Sequence, residues 1–213
     1  MPKFPIYLDM SGRRAVVIGA GSVAVRKVQA LHEAGARITV VASHVPSKFE
    51  DAFAISNVEL VLATYRKDYL VGATLVIAAT NDTALNQQVF HDCQELEILC
   101  NVVDKPEHCD FYTPAVVKRG DLQIAIGTDG NCPAYAGHIR RKLEEIFSET
   151  HGEFVDHLEK IRKRILKEVS SADQRKAILG RLASDESFEI FSDEGPHHWA
   201  EYAAAQMADG AAT

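Results

Sequence analysis

Gly19, Gly21 and Ala24 stand in the order G-x-G-x-x-A within the stretch VVIGAGSVAVRKVQALHEAG, residues 16–35. That spacing suits a dinucleotide pyrophosphate. The first glycine permits a tight turn, the second lets backbone approach phosphate without a Cβ, and the alanine keeps the following helix close to the sheet. Free N–H groups near Ser22 and Val23 would then face the anion. A turn of this kind can also occur in a doubly wound fold that binds nothing, so its setting between strand and helix carries the reading. A second candidate is Asp104, at the end of EILCNVVD. A carboxylate at the carboxyl end of a central strand sits where such sheets bind ligands and can act as a base. It can equally cap a turn before Lys105-Pro106. The acid that would hold a ribose 2′-hydroxyl after the second strand is missing, because Ala42-Ser43-His44 stand there. Ser43 or a backbone N–H can replace it, and His44 would tolerate a 2′-phosphate. NAD is the favoured cofactor, with NADP left open.

These residues need a sheet to position them. RAVVIG (14–19), RITVVAS (37–43), TLVIAAT (74–80) and EILCNVVD (97–104) read as strands buried on both faces. Between them, Ala24, Val28 and Leu31 mark one helix ending at Gly35, and Leu85, Val89 and Cys93 mark another. Strands alternating with helices predict a Rossmann-type α/β fold, a doubly wound parallel sheet over residues 1–112. The rhythm then changes. PAVVKRGDLQIAIGT (114–128) predicts two strands around Lys118–Asp121, and PAYAGHIRRKLEEIFSE (133–149) a helix with proline in its first turn. Residues 113–150 thus form a small α+β segment, whose two strands lack a partner in the parallel sheet and so predict a role in dimerisation. Residues 151–213 are expected to be helical, with Phe154, Leu158, Ile161 and Ile165 in one stripe, a capping box at Ser171–Gln174, and a frayed end from Ala203 onward.

Composition bounds the function. The 213 residues are 46% hydrophobic and 25% charged, as in an ordinary globular protein, and the net charge of −7 argues against nucleic acid or anionic membrane as partner. Cys93, Cys100, Cys109 and Cys132 form no CxxC pair. With no signal peptide and no membrane-spanning run, they predict reduced thiols in a cytoplasmic protein. Glu107-His108-Cys109-Asp110 contains only potential ligands but matches no zinc template, so these are read as surface-loop residues and no metal site is expected. His197-His198-Trp199 is read as a feature of the tail, and Cys132 as a small buried residue.

Taken together, PIYLDMSGRRAVVIGAGSVAVRKVQALHEAGARITVVA, VIAATND, CNVVDKPEHCDFYTPAVVKRGDLQIAIGTDGNCP and IRRKLE resemble the precorrin-2 dehydrogenase and sirohydrochlorin ferrochelatase family, the N-terminal part of siroheme synthases. The resemblance runs in order from residue 5 to about 150. It implies NAD-dependent oxidation of precorrin-2 to sirohydrochlorin, with Fe²⁺ insertion in some members, in a homodimer. It also implies Asp104 as the acid/base residue. The cofactor set that goes with it is Gly19, Gly21, Ser22, Val23, Ala24, Ser43, His44, Thr80 and Asn101. The substrate carries many carboxylates, so cations are expected near it. Arg119 and Arg140, with Lys118, Arg141 and Lys142 nearby, lie in the matching segment, as do Thr128 and Asn131. A methyltransferase part is not expected within this length.

Two departures stand out. The family's I-S-T-G-G-x-S-P appears as Ile126–Pro133, with Cys132 in place of serine, and Gly137 stands where arginine is common. Weak or absent metal insertion is the expectation. Two other classes compete: a chelatase or metal–tetrapyrrole carrier without dehydrogenase activity, and a nucleotide-sensing regulatory module.

Overall fold

The computed structural model describes residues 3–103 and 105–211. The chain forms two compact units, residues 1–113 and 114–213. In the first, β1 (Arg14–Ile18), α1 (Ser22–Glu33), β2 (Arg37–Ala42), α2 (Glu50–Phe53), β3 (Val58–Leu62), β4 (Leu75–Ala78), α3 (Thr83–Glu95) and β5 (Leu99–Val102) follow in order. The strands make one parallel sheet in the order β3-β2-β1-β4-β5. Four of them coincide with the β-branched runs read from sequence. β3 is an addition: VELVL lies at the sheet edge, is only partly buried, and carries Glu59 in its middle. A half-wet edge strand lacks the continuous apolar signal that marks its neighbours.

Each face of the sheet has its own core. Ala24, Val28 and Leu31 of α1 pack with Val17, Val40 and Ile77 on one side. Val89 and Cys93 of α3 pack with Val16, Ile18 and Val76 on the other. The helix α1 ends as expected, with Gly35 in the left-handed region at φ 75° and its N–H bonded to His32 O at 2.9 Å.

The second unit contains the antiparallel hairpin β6 (Ala115–Arg119) and β7 (Leu122–Ile126), then α4 (Pro133–Ile146), α5 (Glu149–Glu168), α6 (Ala172–Leu182) and α7 (Asp185–Ala211). Ser171 caps α6, its hydroxyl accepting from Gln174 N at 3.4 Å. Phe154, Ile161 and Ile165 of the predicted stripe are buried, and Leu158 packs partly against them.

The expected fraying near residue 203 is corrected. α7 continues to Ala211, with Ala203 and Met207 buried in the helical core. The helix breaks at Gly195, φ 88°, and Pro196 opens its second segment, where a missing N–H costs nothing. That break brings Trp199 into the core, with its indole N–H donating to Ser187 Oγ at 2.8 Å and its ring edge-on to Phe154 at 5.5 Å. His197 and His198 remain on the surface beside Glu201 and Glu194.

The hairpin rests on α5 through a close backbone approach. A Cβ on Gly152 would stand 2.6 Å from Arg119 C and O, so this helix position accepts no side chain. Gly180 in α6 has nothing within 4 Å of its Cβ direction. Alanine should therefore act oppositely at the two sites. Gly180→Ala should raise unfolding free energy by about 0.5–1 kcal/mol through helix propensity. Gly152→Ala should lower it by about 1–3 kcal/mol, because overpacking against backbone outweighs the same propensity gain. Urea unfolding of both variants checks the signs.

Candidate functional site

The strand order reverses at the β1–β4 pair, and the carboxyl ends of the strands there form the crevice in which doubly wound sheets take ligands. Backbone bonds hold this edge in step. Gly19 N donates to Val41 O at 2.8 Å, Ala79 N to Ile18 O at 2.8 Å, and Val103 N to Ala78 O at 3.0 Å. Gly19 has φ 110°, and a Cβ there would meet Ala79 O at 2.5 Å. Only glycine fits.

Gly21 is different. It has an ordinary φ of −83°, and nothing lies within 4 Å of its Cβ direction. Space, not strain, is what this glycine leaves. Beyond it α1 begins with no side-chain cap and no acid in its first turn. The amides of Ser22, Val23 and Ala24 are therefore the orphan donors of the helix. The N-terminus of α3 shows the alternative, since Asp82 Oδ1 accepts from Ala84 N at 2.9 Å and Leu85 N at 3.0 Å. One helix supplies its own anion. The other presents open amides and a positive dipole end to an outside one, which fits the pyrophosphate of a dinucleotide.

Ser43 and His44 follow β2 at the same edge and are exposed. Thr80 follows β4, but its polar groups are engaged. Its hydroxyl lies 2.7 Å from Asn86 Oδ1 and accepts from Asp82 N at 3.1 Å, and its carbonyl accepts from Asn86 Nδ2 at 2.9 Å. Asn86, buried on α3, was not foreseen. Its only sequence signal is an amide on the apolar face of a predicted helix. Thr80 thus shapes the crevice wall.

Asp104 lies outside the described residues, while the chain on either side of it is tightly held. Asn101 is buried in β5, and its Nδ2 donates to Phe111 O at 2.8 Å and contacts Cys109 Sγ at 3.3 Å. Cys109 Sγ lies 3.2 Å from both Val102 O and Lys105 O. Asp110 Oδ2 accepts from Cys100 N at 2.8 Å. The surface-loop reading of Glu107–Asp110 is therefore corrected for Cys109, which is buried and whose thiol is pushed upward by burial first of all. The side-chain amide of Asn101 likewise serves this clasp.

The second-unit candidates are also described by their bonds. Arg119 is spent on α4 and α5: Nε donates to Phe147 O at 2.7 Å, Nη2 to Glu144 O at 3.2 Å, and Nε lies 3.3 Å from Glu149 Oε1. Arg140 pairs with Glu144 one turn along its helix. Thr128 Oγ1 accepts from Cys132 N at 3.2 Å and Thr128 O from Asn131 N at 2.9 Å, so Thr128 and Asn131 build the turn into α4. Cys132, expected buried, is exposed, because it precedes the helix as its N-cap instead of packing beneath it.

Residues 6–115 match the family model described as "Putative NAD(P)-binding", and residues 119–146 match "Sirohaem biosynthesis protein central". The chain belongs to the putative NAD(P)-binding family, whose model covers more than half of it. It is 36% identical over 188 residues to a siroheme synthase of Photorhabdus laumondii, covering 86% of this chain and 40% of that one. To siroheme synthase 1 of Aeromonas hydrophila it is 31% identical over 207 residues, covering 97% and 44%. The chain thus spans about two fifths of the length of the curated relatives it matches. The solved structure titled SirC, precorrin-2 dehydrogenase, shares its fold, with a TM-score of 0.77, 24% identity, and coverage of 97% and 99%. No described helix is long and apolar enough to cross a membrane.

The open space at Gly21 gives a sharp test. Gly21→Asp should fold, since its Cβ meets nothing, yet lose about a hundredfold or more in NAD affinity, because like charges brought together cost several kcal/mol. Calorimetric titration with NAD, beside a thermal melt, measures both. Undiminished affinity would show that the dinucleotide does not use this turn.

Proposed function

We propose that this chain oxidises precorrin-2 to sirohydrochlorin with NAD as hydride acceptor. The observation that carries the proposal is the uncapped start of α1 beyond Gly21, at the sheet edge where the β5 loop leads into position 104, in a chain of this family. Gly19 and Gly21 admit the pyrophosphate, with the amides of Ser22, Val23 and Ala24 as its donors. Exposed Ser43 and His44 meet the ribose, and the absence of an acid there leaves hydroxyl or imidazole contacts. Thr80 and Asn101 act as walls, holding the loops through the bonds already described.

The bound nicotinamide would supply the hydride acceptor. Loss of hydride from a saturated carbon must be matched by loss of a proton, and we assign Asp104 to take it. On either side of it in the chain, the Val102 and Lys105 carbonyls both meet the Cys109 thiol at 3.2 Å, which fastens the described residues of this loop. Fe²⁺ would be a substrate of a second reaction at the same base; the Cys132 and Gly137 departures lead us to expect that reaction to be weak or absent. Thr128 and Asn131 are assigned to the substrate through the turn they form. Arg119 and Arg140 are assigned to supporting that region, because their charges are already paired. Four free thiols suit a cytoplasmic setting.

We also infer a homodimer through the segment 113–150. The hairpin is a two-stranded sheet, and Val116, Tyr135 and Ile146 are exposed on this segment. Uncovered strand edges and apolar side chains favour self-association around a twofold axis. Light scattering at micromolar concentration should give twice the chain mass, and a monomer would contradict the inference.

Asp104→Ala tests the chemistry. It should bind NAD with unchanged affinity, since the glycine turn is intact, and lose about 10² to 10⁴ in the rate of sirohydrochlorin formation. Full turnover by the variant would remove Asp104 from the mechanism. Rapid wild-type iron insertion would contradict the reading of Cys132 and Gly137.

A further inference from the structure

A polycarboxylate substrate needs cations, and Arg119 and Arg140, two of the five that the sequence offers, are occupied within their own unit. The first unit carries a different set at its ligand edge. Lys27 lies on the flank of the α1 stripe formed by Ala24 and Val28, and its ammonium donates to Thr113 Oγ1. Lys3 Nζ donates to Cys109 O at 2.8 Å and lies 5.2 Å from the centre of the Tyr112 ring. Both ammonium groups thus stand on the segment 105–113, which leads directly away from position 104. Neither makes an ion pair with a carboxylate among the described residues, although Lys67, Arg119, Arg140, Lys163 and Arg164 do.

Lys27 is the more informative of the two. Its side chain is half-buried, and burial, followed by the charge of Arg26, pushes the ammonium below the usual lysine range. An ammonium has three N–H donors, and the Thr113 hydroxyl takes one. Desolvating a cation is unfavourable unless a counter-ion compensates. A lysine kept in that state at a ligand-binding edge is suited to a counter-ion that arrives with the ligand. The competing account is a lysine whose stem packs on the helix and whose head merely tethers Thr113. The two accounts differ in what they require of Thr113.

We propose that Lys27, with Lys3 on the same segment, forms the carboxylate-binding face of the substrate site and receives a carboxylate side chain of the tetrapyrrole. The assignment rests on the tetrapyrrole reading given under the proposed function. It places this part of substrate recognition on unit 1, at the segment that follows position 104 in the chain. It also explains how a chain of net charge −7 takes an acidic ligand: by two lysines that have no carboxylate partner among the described residues.

Equilibrium titration of the full chain with sirohydrochlorin, and separately with NAD, tests this in wild type, Lys27→Met, Lys27→Gln, Lys27→Arg and Thr113→Val. Both neutral variants should raise the sirohydrochlorin Kd about 10- to 100-fold and flatten its salt dependence, while NAD affinity is unchanged. Lys27→Arg should stay within a few-fold of wild type, and Thr113→Val should bind as wild type does. Equal weakening by Thr113→Val and Lys27→Met would show a tether and overturn the proposal. Weakened NAD binding in Lys27→Met would assign the ammonium to the cofactor's phosphates and overturn it as well. Wild type that binds sirohydrochlorin beside an indifferent Lys27→Met overturns this proposal alone. Wild type that binds NAD but no sirohydrochlorin overturns the tetrapyrrole reading and this proposal with it.

Discussion

The carboxyl end of the parallel sheet can close only because residue 19 has no side chain. Its Cα lies so near the end of β4 that a methyl group would stand 2.5 Å from the Ala79 carbonyl oxygen. With that clearance, Gly19 turns at φ 110° while still donating to Val41, and Ala79 and Val103 continue the ladder beyond the regular strands. The crevice at the strand reversal, the direction in which α1 sets out, and the level at which Val103 leaves the sheet all follow from that contact. Loss of it would shift three strand ends together, since packed interiors yield little.

Polar groups at this edge divide into those that hold and those that are left open. Thr80, Asn86, Asn101 and Cys109 spend their hydrogen bonds on neighbouring backbone, fixing the walls. The first-turn amides of α1 and the side chains of Ser43 and His44 are the ones a ligand can still engage. This division is what a preorganised site requires: donors that bind are kept in place by groups that do not. Lys3 and Lys27, bonded to the 105–113 segment, belong to both groups, since each is tied there by a hydrogen bond and has no carboxylate partner among the described residues.

Where the sequence was legible, the reason is burial. The runs RAVVI, RITVVA, LVIA and LCNV are apolar on both faces, so their strand character and parallel pairing could be read from the chain alone. Gly19, Gly21 and Ala24 were equally plain, because a turn that admits phosphate restricts residue type at fixed spacing. Glu59 concealed β3, since an edge strand tolerates a charge. The tail read as loose because alanine-rich sequence has little pattern, yet Trp199, Ala203 and Met207 lie on one face and complete the core. Side-chain partnerships were the least visible. Nothing in the spacing of Arg119 shows that it binds the carbonyls ending α4, or in that of Cys109 that its thiol closes a loop.

The proposed account combines a glycine turn for the dinucleotide, Asp104 as the base, and two lysines for an acidic substrate. The most direct measurement is the stoichiometry of the purified chain acting on precorrin-2, with NADH and sirohydrochlorin followed in the same cuvette. The account predicts that both appear together in equal amounts and that neither forms when NAD is withheld. Sirohydrochlorin formed at the same rate without NAD, or NADH formed without it, would contradict the account.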